Sequence, residues 1–390
     1  MEDVIYLDAA ATTKPDKEVI EAMMPYFTDK WYNPSSLYSP SVQVKKDIEE
    51  ARKVIADFIN AEPDEIYFTS SGSEANCWAI QGFINNYSHP SIITSYIEHK
   101  SILNFLDCCS NNIYTDCLNV DCKGNVLIDE LKESLKIDIG CCTNNSLVSI
   151  QFANNEIGTI QNIKELCEIT HKYNGLFHTD AVQVFGHLPI DVKDLGVDML
   201  SASGHKIGCP KGIGFLYIKN GVEIKPLIYG SQERGMRGGT ENVPYIIGFA
   251  KAVELILNKN IASYRGTGKY IVQRTAYVRN YLVKLLEQYG CKINGSRESR
   301  LPNNINVTLP NKVTGESLIY MMDMSGICIS AGSACNSHSQ SVSHVLKAIG
   351  LSEEEAMRTI RITIPDDSLD INDIKKFVSE LQKALKLLEI

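Results

Sequence analysis

Residues 197–214 read VDMLSASGHKIGCPKGIG, and this stretch decides the fold. The apolar run 197–200 is long enough for one buried strand. Small and polar residues follow it, then Lys206, then the glycine-rich residues 207–214. A lysine just past a buried strand sits where its neighbours can lower its pKa. The neutral amine can then attack a carbonyl carbon and form an imine. Ser203 and His205 flank it with hydrogen-bond donors suited to a phosphate. A lone lysine on a loop is ordinarily a solvated surface group, so the weight of this one depends on the rest of the chain.

Outward from Lys206, strands alternate with helices. Residues 65–69 (EIYFT), 91–95 (SIITS), 147–153 (LVSIQFA) and 176–178 read as strands upstream, and 214–218 (GFLYI) as one downstream. The alternation predicts a mostly parallel sheet with helices on both faces. In such sheets ligands gather beyond the carboxyl ends of the strands. His99, Asn155, Asp180, Gln183 and Lys206 all fall at or just after such ends. So does the turn at 70–74, SSGSE, which opens a helix expected over 75–85. A serine- and glycine-rich turn there gathers free backbone N–H groups and suits a phosphate, with Gly72 and Ser73 at its centre. The same residues equally fit a capping box of Ser71 and Glu74.

Elsewhere the pattern predicts a helix over 15–27 opened by Pro15, an irregular loop over 31–40, and a helix over 43–58. That last helix carries Val44, Ile48, Ala51, Ile55 and Phe58 on one face. Residues 230–242 are a polar, glycine-rich loop. A long helical stretch follows over 243–288, loosely interrupted near Gly266. Beyond it the character changes, with strands at 304–309, 326–330 and 359–364 among helices at 316–324, 342–348 and 371–387. This reads as a smaller α/β domain.

The 390 residues, 44% hydrophobic and 22% charged, allow a large core and suggest two domains. The net charge of -9 and the lack of a long basic run give no indication of nucleic-acid binding, and no direct nucleic-acid partner is expected. The acidic N-terminus lacks the apolar run of a signal peptide. No stretch approaches the roughly 18 to 20 apolar residues of a membrane span. A soluble, cytoplasmic protein is expected. The 12 cysteines are scattered, which in this context implies reduced thiols rather than a disulfide framework. The adjacent pairs Cys108–Cys109 and Cys141–Cys142 match no zinc spacing, and no metal is expected.

An imine-forming lysine, a phosphate turn and an aspartate at a strand end together point to pyridoxal 5′-phosphate. That cofactor needs a carboxylate near its pyridine nitrogen, and Asp180 can serve. The flat ring of His99 could stack on it. Residues 330–350, SAGSACNSHSQSVSHVLKAIG, set Cys335 among small polar residues, where a thiol is accessible. Cys328, in the apolar strand expected at 326–330, reads as buried and inert.

The motifs LDAAATT (7–13), NPSS (33–36), TSSGSEAN (69–76), EHKS (98–101), NNEIG (154–158), HTDAVQ (178–183), SGHKIGCPKGIG (203–214), RGGTEN (237–242) and GSACNS, followed by SHVLKAIG, occur in this order. Over nearly its whole length the chain resembles the cysteine desulfurases of the NifS/IscS type, in the class V aminotransferase group of fold type I pyridoxal phosphate enzymes. The resemblance implies a large domain over 15–260 with a mostly parallel seven-stranded sheet flanked by helices. A small domain built from 1–14 and 261–390 would carry the cysteine loop. Lys206 would hold the cofactor and shuttle protons. Asp180 would pair with the pyridine nitrogen, Gln183 would bond the phenolic oxygen, and His99 would stack and assist proton transfer. Gly72, Ser73, Ser203 and His205 would hold the phosphate, completed by Thr240 from a second copy in a homodimer. Asn155 and Arg361 would hold the carboxylate of L-cysteine, since an arginine fork binds both oxygens.

Cys335 would take the substrate sulfur as a persulfide, release alanine, and pass the sulfur to an iron–sulfur scaffold, a tRNA-thiolating enzyme or another acceptor protein. A selenocysteine lyase or other β-eliminating enzyme shares the fold, but a persulfide-forming Cys335 argues against it. A catalytically idle assembly subunit would not need the lysine, aspartate, histidine and cysteine set. Asn336 and His338 depart from the small residues usual in the cysteine loop, which bears on the acceptor. Tyr38 stands where many relatives have histidine.

Overall fold

The computed structural model describes residues 4–109, 113–140, 145–263, 269–310, 313–331, 342–365, 369 and 371–387. Its strands, in chain order, are β1 (Ile5–Tyr6), β2 (Ile66–Thr69), β3 (Ser91–Ser95), β4 (Tyr114–Leu118), β5 (Ser146–Ser149), β6 (Leu176–Asp180), β7 (Met199–Ser203), β8 (Gly214–Ile218), β9 (Lys292–Ile293), β10 (Asn304–Thr308), β11 (Ile327–Cys328), β12 (Ser330–Ala331) and β13 (Thr359–Thr363).

The large sheet has seven strands in the order β2-β8-β7-β6-β5-β3-β4. From β7 to β4 neighbouring strands are parallel, whereas β8 runs antiparallel to both β7 and β2. The link from β7 to β8 is too short for the crossover that a parallel pair would need. The sheet is therefore mixed, with a parallel majority. Its seventh strand, β4, sits at an edge; its sequence YTDCL has no clean apolar alternation and Tyr114 is exposed.

Side chains on the fully buried strands alternate between two cores. Leu200 and Phe215 join Ile48, Ile55, Phe185 and Phe249 on one face. Met199 and Leu216 join Trp78, Ile80, Phe83 and Ile92 on the other. Helices Ser39–Phe58 and Val243–Ser263 cover the first face, and Gly72–Ile84 packs on the second.

Several local expectations are corrected. The helix expected from Pro15 is two pieces, Lys17–Met23 and Pro25–Thr28. Asp16, not Pro15, opens the first, because its side chain accepts the Glu18 N–H at 3.0 Å. Pro25 starts the second, where its missing N–H costs nothing. The helix expected at 43 already begins at Ser39, inside the segment read as loop. The helix expected at 75 begins at Gly72, because Ser71 Oγ accepts the Glu74 N–H at 3.1 Å. The single strand expected over 326–330 is two, β11 and β12, which belong to different sheets. Cys328 is half-buried rather than buried. The helix after the cysteine segment is His344–Ala348, capped by Ser343. The break near Gly266 lies outside the described residues, between Val243–Ser263 and Lys269–Gln288. Helices Ile128–Gly140 and Glu353–Met357 had no reading in the sequence.

A separate core gathers Ile305, Val307, Ile360, Ile362, Phe377 and Leu381 around the sheet β12-β13-β10-β9. Ile5 and Leu7 belong to it, and β1 pairs in parallel with β11. The N-terminal segment is thus stitched to the C-terminal core, with Thr363 N–H donating to the Leu7 carbonyl at 2.7 Å. It then crosses to the Lys206 loop, where Thr13 N–H donates to the His205 carbonyl at 2.9 Å. Gly208 N–H donates to Thr13 Oγ1 at 2.7 Å. Among the described residues, no helix is long and apolar enough to cross a membrane.

Candidate active site

The carboxyl ends of β2, β3, β5, β6 and β7 open on one cavity of about 330 Å³, within the ~300–1,000 Å³ common for small-ligand sites. Gly72, Ser73, His99, Asn155, Asp180, Gln183, Ser203, His205, Lys206 and Arg361 all line it. Thr240 does not; it is exposed on the loop after Gly239. Cys335 and the pair Cys141–Cys142 lie outside the described residues.

Lys206 follows β7 in a single turn of 3-10 helix and is 9% exposed. Its Nζ donates to the carbonyls of Ala10 and Ala11 at 2.6 and 2.9 Å. Burial first, and then the nearby Arg361 charge, push its pKa down to about 8, with Asp8 and Asp180 partly opposing. A neutral amine is therefore accessible near physiological pH, which a solvated lysine does not offer. Asp180 ends β6 and is buried. Its carboxylate accepts from Asn76 Nδ2 at 2.7 Å and from the Val182 N–H at 2.9 Å, which fix its direction. Gln183 Nε2 donates to the Ala10 carbonyl at 3.3 Å.

His205 Nδ1 lies 3.1 Å from Thr12 Oγ1. Burial, then Lys206 and Lys211, lower its pKa to about 4, so the ring is neutral. His178, fully buried between Ser149 and Ser201, is lowered to about 3 by burial alone. His99 has its pKa lowered chiefly by loss of water, with Lys206 adding to the effect and Asp180 opposing it.

The turn after β2 approaches β7 closely. A Cβ on Gly72 would lie 2.5 Å from Val182 Cγ2, so only glycine lets this backbone line the cavity. Glu74 in the next turn is clamped by Arg237, Nε to Oε1 at 2.8 Å, and accepts the Ser70 N–H at 2.7 Å. Glu233 takes the buried Arg52 at 2.7 Å and the Phe68 N–H at 2.9 Å, which ties the 230–242 loop to β2.

Arg361, on β13, reaches the cavity from the C-terminal core. Its Nη2 donates to Asp8 Oδ1 at 2.7 Å and its Nη1 to the Asn155 carbonyl at 3.1 Å, while Nε is buried without a partner among the described residues. The segment carrying Cys335 leaves from β12, whose Ser330 is in register with Arg361. On the far side of that segment, Ser343 Oγ donates to Glu156 Oε2 at 2.6 Å, next to Asn155.

Sequence reasoning passed over Asn76, Gln151 and the Ala10 and Ala11 carbonyls, all at the cavity wall, and Asp8 behind it. Asn76, Asp8 and the alanines lie inside motifs quoted above, but carbonyl groups and amides have no signature of their own. Among the described residues no cluster could hold a metal ion. Burial pushes the thiols of Cys117 and Cys291 up to about 11 and that of Cys167 to about 12, which leaves them unreactive.

The donor set fits pyridoxal 5′-phosphate. It offers a depressed amine, a fixed carboxylate, a helix N-terminus without side-chain bulk, and two buried polar atoms, Asn76 Oδ1 and Arg361 Nε, with no partner among the described residues. A mixed sheet with these groups at its carboxyl ends defines a class of enzyme, and the family model for Aminotransferase class-V matches residues 5–365. Cysteine desulfurase IscS of Methanosarcina thermophila is 44% identical over 391 residues, covering 98% of this chain and 93% of that protein. The solved NifS-like protein from Rickettsia africae is 34% identical with a TM-score of 0.86, covering 98% of this chain and all of that one (100%). SspA in complex with cysteine is 36% identical with a TM-score of 0.79, covering 94% of this chain and 100% of that one. The chain belongs to the cysteine desulfurase family within the class V aminotransferases.

Proposed function

We propose that this chain holds pyridoxal 5′-phosphate in the cavity and converts L-cysteine to L-alanine, with the sulfur taken by Cys335 as a persulfide. The sulfur then goes to an acceptor protein in the cytoplasm, such as an iron–sulfur scaffold or a thiolation enzyme. The observation that carries the reading is the buried Lys206 amine, with its lowered pKa, facing one cavity with Asp180 and Arg361.

In this reading Lys206 holds the aldehyde carbon and afterwards moves protons at the substrate. Asp180, oriented by Asn76 and the Val182 N–H, keeps the pyridine nitrogen protonated. Bound pyridoxal phosphate supplies a ring that accepts the electron pair left when the substrate Cα–H bond breaks. Gln183 bonds the phenolic oxygen and His99 stacks. Gly72, Ser73, Ser203 and His205 hold the phosphate; the neutral His205 ring can donate or accept without carrying charge. Thr240 of the partner subunit completes that site in a homodimer. Arg361 and Asn155 hold the substrate carboxylate, and Arg361 Nε, which has no partner among the described residues, is the donor available for it. The Cys335 thiolate attacks the substrate sulfur, the carbon–sulfur bond breaks, and the carbon gains a proton to leave as alanine. The separate cores support dividing the chain into 15–260 and a unit of 1–14 with 261–390.

The test is direct. Cys335→Ala should keep the visible absorbance of the bound cofactor yet release no sulfide from L-cysteine under reductant. Full sulfide release by this variant would refute the Cys335 assignment.

A further inference from the structure

Asp180 ends β6 and His99 lies in the loop after β3, yet a hydrogen-bond chain joins them, and the proposed reaction uses only its first link, from Asn76 to Asp180. Asn76, 1% exposed, lies in helix Gly72–Ile84. Its Nδ2 donates to Asp180 Oδ2 at 2.7 Å and to Ser101 Oγ at 3.0 Å. Ser101 Oγ lies 2.8 Å from His99 Nδ1, and the Ser101 backbone N–H donates to that same nitrogen at 3.1 Å.

The donor inventory forces the direction of this chain. An ionised carboxylate can only accept, so the amide nitrogen of Asn76, not its oxygen, must face Asp180. The second hydrogen of that NH2 goes to Ser101 Oγ. The hydroxyl therefore accepts from Asn76 and has its own hydrogen to give to His99. Nδ1 of His99 accepts from the Ser101 backbone N–H, which can only donate, so it must present a lone pair that the hydroxyl can share. Its proton then belongs on Nε2. A proton on Nδ1 would oppose the Ser101 N–H and require the hydroxyl to turn away.

We propose that Asn76 and Ser101 are positioning residues that relay the fixed Asp180 carboxylate to His99 and hold its ring as the neutral Nε2–H tautomer. His99 then meets the reacting site with Nε2–H, as a donor of a hydrogen bond or a proton. The catalytic meaning rests on the proposed placement of His99 at the reacting site; the tautomer itself follows from the geometry. The other charged groups acting on the ring are Asp180, which favours its protonated form, and Lys206, His344 and Lys100, which oppose it. A merely structural role for Asn76 and Ser101 would fill space without selecting a ring nitrogen.

The experiment uses the full-length, cofactor-loaded protein with ¹⁵N-labelled histidine, and the His99 signals are identified by their loss in His99→Gln. The wild type should show an unprotonated Nδ1 and a protonated Nε2. Ser101→Ala keeps the backbone N–H but removes the hydroxyl. It should weaken the Nε2–H preference and shift the His99 titration midpoint upward, because a donor to the neutral ring is lost. Ser101→Thr should restore both, and Asn76→Leu should reproduce the alanine result. If Asn76→Leu fails to fold, the alanine and threonine pair decides alone. A wild-type ring protonated on Nδ1, or unchanged ring shifts and midpoint in Ser101→Ala, overturns the proposal. Failure of the desulfurase reading would look different: no sulfide from L-cysteine in a protein whose His99 nitrogens still behave as stated.

Discussion

Lys206 and Arg361 show how one residue's chemistry is made by what surrounds it. A free lysine titrates near 10.5, and here the value is about 8. Between those two pH values the unfolded chain binds a proton that the folded cofactor-free protein does not. Stability of the cofactor-free protein should therefore rise with pH across that window. Lys206→Met should flatten the rise, measured as the urea midpoint at pH 7.5 against pH 10; an equal slope in both proteins would contradict the lowered pKa. Arg361 has two nitrogens committed to Asp8 and Asn155 and one buried without a partner among the described residues. Removing it should cost roughly 1.5–3 kcal/mol of substrate binding, about 10- to 150-fold in KM for L-cysteine. Steady-state kinetics on Arg361→Ala would check this, and an unchanged KM would place the carboxylate elsewhere.

At the scale of elements, the turn at Gly72 depends on a close approach between helix Gly72–Ile84 and the segment after β6. Val182 is β-branched and cannot easily swing its Cγ2 away from a new Cβ at position 72. Gly72→Ala should therefore strain the turn by roughly 1–3 kcal/mol and weaken cofactor binding. Adding Val182→Ala should recover most of the loss, because the two sites are in contact and their effects are not additive. Thermal melting and cofactor titration of the two single variants and the double would show it; simple additivity would mean that the clash is not the cause.

For the whole molecule, Thr240 does not line the cavity of its own chain, and the proposed role would bring it to the cavity of a second copy. If it acts across a homodimer, mixing Lys206→Ala chains with Thr240→Ala chains should create one intact site. In that site Lys206 comes from the Thr240→Ala chain and Thr240 from the Lys206→Ala chain. Tight cofactor binding and sulfide release should then exceed those of either variant alone. Isolated mixed dimers no better than the Thr240→Ala protein would place Thr240 in its own chain's site. The N-terminal strand is also a whole-molecule device. It packs in the C-terminal core through Ile5 and Leu7 and then delivers the Ala10 and Ala11 carbonyls to Lys206.

Much of this could be read from the chain alone, because the signals were local. A buried strand running into a lysine, a serine–glycine turn at a helix start and an aspartate at a strand end each follow from side-chain period and backbone chemistry within a few residues. What needed tertiary structure were the long-range relations. Strand β4 lacks a period of its own and pairs only because β3 offers it an edge. The direction of β8 depends on the reach of the link before it, and the split of residues 326–330 on which sheet each half can join. The lowered pKa of Lys206, the pairing of Arg361 with Asp8 and the Asp180–Asn76–Ser101–His99 chain exist only once distant segments exclude water around them. Desolvation and hydrogen-bond direction are properties of the packed surroundings, and no sequence window of a dozen residues contains them.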